Sequence, residues 1–121
     1  MDTNLQPEFT FNLDYLATIA DGDKEFMDEM MDMFLSQTPP QITSITNAIT
    51  QNNYDHIAQI AHKIKPTFAM FGLNSLKESF GELENDAKAA VDMKEIEKKL
   101  QRILPVLEML YTRLRLEKDT F

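Results

Sequence analysis

Hydrophobic positions recur every three or four residues along most of this chain, and the interruptions fall at Asp, Gly, Asn and Pro. Leu13, Leu16 and Ile19 or Ala20 predict a short helix capped by Asn12 and ended by Asp21-Gly22, while residues 1–11 carry no such period and read as a loosely ordered tail. Asp23 caps a helix over 23–37 that turns Phe26, Met27, Met30, Met31 and Phe34 inward. Proline is tolerated in a first turn, so Thr38-Pro39-Pro40 predicts a new start, with Ile42, Ile45 and Ile49 as its stripe. Asn52-Asn53 breaks the pattern. A helix from about Tyr54 follows, its apolar stripe made of Ile57, Ile60, Ala61, Ile64, Phe68 and Phe71, and Gly72 closes it as a residue that takes positive φ freely. Asn74 or Ser75 is expected to cap the next helix, with Ser75 and Glu78 at capping-box spacing and Leu76, Phe80, Leu83, Ala87 and Ala90 or Val91 buried. Asp92 and Glu95 repeat that arrangement before Ile96, Leu100, Ile103, Leu107, Leu110 and Leu114. Pro105 predicts a kink there, because its ring clashes with the Gln101 carbonyl. With no alternating run of β-branched residues, the fold class is all-α. The packing expected is an antiparallel up-down four-helix bundle with the short N-terminal helix as a lid.

Composition narrows the function more than the fold. A chain of 121 residues suits one helical domain without metal or disulfide staples, and zero Cys excludes thiolate zinc sites and fits a reducing compartment. A formal charge of -8 and a pI near 4.6 disfavour nucleic acid and anionic membranes as partners. Neither a signal-like start nor an apolar run of membrane-spanning length is visible, so the expected location is the cytoplasm. Asp21-Gly22-Asp23 lacks the further ligands of a calcium loop and reads as a turn. Nothing has the form of a P-loop, a kinase glycine-rich loop or a Ser/His/Asp set, so the chain has no visible means of holding ATP.

His62 stands away from the apolar stripe of its helix, in a row with Asp55, Ala58, Pro66 and Ala69, where small neighbours clear the surface around it. Lys63 and Lys65 set positive charge beside it in an acidic chain, an arrangement suited to an incoming phosphoryl group. Ala61-His62-Lys63-Ile64-Lys65, with Gly72 ten residues after the histidine, resembles the signature of the histidine phosphotransfer (HPt) domain family. The flanks are similar too: Phe26, Met30 and Phe34 before it, and Leu76, Phe80, Leu83 and Glu84 after it, so the resemblance runs from about Leu13 to Leu114. It departs at Pro66, where the family more often has Gly; proline cannot donate to the His62 carbonyl and is expected to bend the helix.

The spacing also pairs residues across a hairpin. His62 lies eleven residues before Leu73 and Glu84 eleven after it, so the two are expected at one height on neighbouring helices. A carboxylate accepting Nδ1–H would leave Nε2 unprotonated and aimed outward, a role that the resemblance also implies for Glu84. Lys65, one turn on, is expected to neutralise a phosphoryl oxygen, as the resemblance implies. Gly81 falls near Lys65 and Ala69 in height and would make room there, and Gly72 is structural. Ala58, Gln59, Lys63, Pro66 and Ala69 form the expected docking surface. His56, six residues before His62, cannot complete a metal pair with it and serves as the bystander. No metal or cofactor of the chain's own is expected; Mg²⁺ would come with the partner.

The resulting expectation is a covalent phosphorelay intermediate, not an enzyme: His62 takes a phosphoryl group from the aspartyl phosphate of one receiver domain and passes it to the aspartate of another. Receiver domains of a hybrid histidine kinase or a response regulator are the implied partners. Two rivals stand beside it. One is a helical adaptor binding a partner helix through Met33, Leu35 and Met70, with His62 incidental; the other is an enzyme using His62 as general base with Glu84 beside it, disfavoured by the lack of pocket-forming loops.

Overall fold

The computed structural model describes residue 18 and residues 20–120, with side chains through residue 116. Among these residues there are four helices and no strand: α1 (Lys24–Thr50), α2 (Tyr54–Met70), α3 (Asn74–Lys88) and α4 (Met93–Thr120). The short N-terminal helix and the tail expected before Ala20 lie outside the described residues, although Ala20 itself is buried. Each helix packs on the next, α4 closes the ring on α1, and the most extensive pairing is α2 with α3.

Tight connections enforce the up-down order. At the end of α1, Asn53 N–H donates to Ala48 O and Asn52 N–H to Ile49 O; at the end of α2, Leu73 N–H reaches Phe68 O and Gly72 N–H reaches Ala69 O. Val91 and Ala90 repeat the pair on Asp86 and Ala87 after α3. These are three Schellman stops, and each puts one residue in the left-handed region: Asn52 (φ 55), Gly72 (φ 71) and Ala90 (φ 55). Asn53 then caps α2 by accepting the His56 amide at 3.1 Å, so one residue ends a helix and begins another. Asp23 and Asp92 cap α1 and α4 by accepting the amides of Phe26 and Lys94.

Four local expectations require correction. The predicted break at Thr38-Pro39-Pro40 is absent, and α1 runs straight through both prolines. Its buried residues Met27, Met30, Met31, Phe34, Thr38, Ile42, Ile45, Ala48 and Ile49 hold one stripe across that point. Burial of the stripe outweighs the two missing amide donors, at a cost of about 3 kcal/mol per interior proline. Phe26 is 41% exposed rather than core, being about 100° of helical rotation from the centre of that stripe. Neither Asn74 nor Ser75 caps α3: Leu73 is the N-cap, without a side-chain bond, and Ser75 O accepts the Ser79 hydroxyl inside the helix. Ala90 is exposed and Val91 half-buried, because α3 stops at Lys88.

Among the described residues the predicted core is otherwise in place. Phe34 of α1 sits between Phe68 of α2, Phe71 just beyond its end and Tyr111 of α4, with ring centroids 5.9, 4.9 and 6.1 Å away, and Phe68 stacks on Phe80 of α3 at 5.2 Å. Ile57, Ala61, Ile64 and Phe68 are fully buried. They fix the rotation of α2, and with it the direction in which residues 62 and 63 point.

Candidate functional site

Ala61 and Ile64 anchor α2 on either side of His62, whose side chain is 72% exposed. On α3, buried Leu83 and Ala87 bracket Glu84 in the same way. The carboxylate of Glu84 meets the imidazole across the α2–α3 seam, Nδ1 to Oε2 at 3.0 Å. The equal spacing about Leu73 therefore does bring the two residues to one height.

Glu84 is nearly covered, with 6% of its side chain exposed, yet its cover is made of side chains that themselves reach water. Lys65 Nζ lies 2.7 Å from Oε1, and Lys88 Nζ lies 3.0 Å from Oε2. The Lys65 hydrogen bond is the main cause that brings the Glu84 pKa down from 4.5 to about 2; burial pushes it the other way, and Lys88 adds to the lowering. An ionised carboxylate can only accept, so Nδ1 of the neutral ring must be the donor. That leaves Nε2 with its lone pair free, on the exposed edge of the ring.

Lys88 is the member of this group that sequence reasoning missed. Its signal was present, a Glu84–Lys88 pair at i, i+4 on α3. Gly81 lies beside Lys65, but a Cβ built there would stand 3.7 Å from Lys65 Cδ, an ordinary contact, so the lysine stem does not require the missing side chain. Of the expected docking residues, Gln59, Lys63 and Pro66 are exposed and Ala69 is half-buried. Ala58 is a correction: at 9% exposure it belongs to the core. A single methyl is easily closed over by neighbouring side chains, and a helix flanked by two others buries a wider arc than its apolar stripe. Pro66 sits inside a continuous α2, and exposed His56 takes part only through its capped amide. Of the residues weighed for an adaptor, Leu35 and Met70 pack partly against the core and Met33 is half-buried.

The group as a whole is a tautomer-locked imidazole facing outward, with ammonium groups close by. Ammonium groups beside an exposed ring favour an anionic group arriving there. A family model for the Hpt domain matches residues 29–117. The chain belongs to the Hpt domain family. Hpt domains are histidine phosphotransfer modules of two-component phosphorelays, and the bundle carries that general role. The fold agrees with a solved Hpt domain, that of an Hpt sensor hybrid histidine kinase from Shewanella, at a TM-score of 0.80 and 20% identity over 94% of this chain and 97% of that one. No curated protein matches the sequence. Among the described residues of this Hpt domain, no helix is long and apolar enough to cross a membrane, and no three His, Cys, Asp or Glu side chains converge as a metal site would need.

Proposed function

We propose that His62 is the phosphoacceptor of a relay between receiver domains, taking the group from one aspartyl phosphate and giving it to another aspartate. The observation that carries this reading is the Nδ1–H···Oε2 bond to Glu84 beneath an exposed ring. Nε2 attacks phosphorus in line, the N–P bond forms as the aspartyl O–P bond breaks, and aspartate leaves as its carboxylate. No proton has to move, because Nε2 carries none. The ring becomes positive while its Nδ1–H stays on Glu84, whose charge compensates it. Lys65 contributes positive charge to the phosphoryl oxygens, and Mg²⁺ belongs to the acidic pocket of the receiver. In this reading the domain acts as a covalent carrier and not as a catalyst. Partners are receiver domains of a hybrid histidine kinase or a response regulator, docked over Gln59, His62, Lys63, Pro66 and Ala69.

Incubating the chain with a phosphorylated receiver tests this. Transfer of label to the chain supports the relay, binding without transfer would make it an adaptor, and release of inorganic phosphate without labelled chain would make it a general-base enzyme.

A further inference from the structure

The two lysines on Glu84 are held differently. Lys65 is 27% exposed, has Oε1 to itself at 2.7 Å and lies with its stem against Gly81. Lys88 is 64% exposed, and its oxygen, Oε2, is the one that also receives Nδ1–H, each at 3.0 Å. If Lys65 withdrew, Oε1 of a nearly covered carboxylate would be left without a donor, which is costly. If Lys88 withdrew, Oε2 would still hold the imidazole. Lys88 is therefore the cation that can leave at least cost. Sharing one oxygen keeps its Nζ no more than about 6 Å from Nδ1, within the sweep of a lysine side chain and close enough for its charge to act on a group at the ring.

We infer that Lys88 is a phosphoryl-contacting residue: when Nε2 takes up a phosphoryl group, Lys88 leaves Oε2 and pairs with the phosphoryl oxygens, while Lys65 stays on Oε1. The inference rests on His62 being the phosphoacceptor. Two consequences follow from the geometry. The resting site holds two ammonium charges against one carboxylate, and the arriving anion takes up the excess. Departure of Lys88 also gives Oε2 to Nδ1–H alone at the moment the ring turns positive, so the bond that stabilises the product strengthens as the product forms.

The test uses the full chain, phosphorylated on His62 with phosphoramidate, whose nitrogen leaves as ammonia. Lysine 13Cε–1Hε correlations are recorded before and after labelling, with Lys88→Arg and Lys65→Arg used to assign the two signals. Labelling rates are measured for wild type, Lys88→Gln and Lys88→Arg. Phosphorylation should shift the Lys88 signal and leave that of Lys65 in place. Lys88→Gln should slow labelling about tenfold, with a melting temperature within about 2 °C of wild type, and Lys88→Arg should recover to within about threefold. A shift confined to Lys65, or a Lys88→Gln variant that labels at the wild-type rate, overturns the inference. Failure of wild type to take label on His62 overturns the phosphoacceptor reading itself, so the two failures are distinct.

Discussion

Glu84→Gln removes one negative charge from beneath two ammonium groups while keeping the side chain's size, and its amide oxygen can still accept from His62 Nδ1. The drop of the Glu84 pKa from 4.5 to about 2 would by itself correspond to about 3 kcal/mol in favour of the folded state. Both lysines reach solvent, so screening reduces this to about 1–2 kcal/mol. Because the folded pKa is the lower one, this stabilisation is complete above the unfolded value near 4.5 and is lost as pH falls through 4.5 towards 2. Other carboxylates titrate alike in the two proteins and cancel in the difference. The assay is urea unfolding of wild type and Glu84→Gln, followed by circular dichroism from pH 7 to pH 3.5. Wild type should be more stable by about 1–2 kcal/mol at neutral pH, and about 1 kcal/mol of that difference should have vanished by pH 3.5. A difference that stays constant over this range would refute the depressed carboxylate and the charge arrangement built on it.

Lys65→Ala should slow acceptance of phosphate by about five- to thirtyfold with the helical signal intact, and should raise the pKa of Glu84, since the Lys65 bond is its largest lowering cause. Ala69→Arg should block transfer from a phosphorylated receiver while leaving labelling by phosphoramidate unimpaired; equal receiver transfer would put the docking face elsewhere. Ala58→Arg should instead lower the melting temperature by more than about 5 °C, because the position is buried and an arginine there has to displace core side chains. Ala90→Gly should stabilise the bundle by about 1 kcal/mol in urea titration, as it relieves a φ of 55 at the end of α3.

The hairpin symmetry about Leu73 was enough to predict the His62–Glu84 contact, because helix rise is regular and a Schellman stop leaves little freedom in the turn. The same regularity made the stripes of α2 and α4 readable residue by residue. Pro39 and Pro40 misled for the opposite reason: local propensity argued for a stop, and only burial of a stripe that runs past them carries the helix through. Phe26 has the wrong angle and Ala58 the wrong size for a reading by residue type, so the first faces water and the second is covered. The i, i+4 spacing of Glu84 and Lys88 is common on helix surfaces and by itself singles out nothing. Lys88 becomes informative once Glu84 is seen to sit under it with Lys65 on the other oxygen. The cleared row expected around His62 thus includes one buried alanine beside an exposed ring.

Mass spectrometry of the intact and digested chain after treatment with phosphoramidate tests the central claim most directly. A single acid-labile phosphate on the peptide bearing His62 is predicted, present in His56→Gln and absent in His62→Gln, with the two variants melting alike. Phosphate retained in His62→Gln, or found on His56, would contradict it.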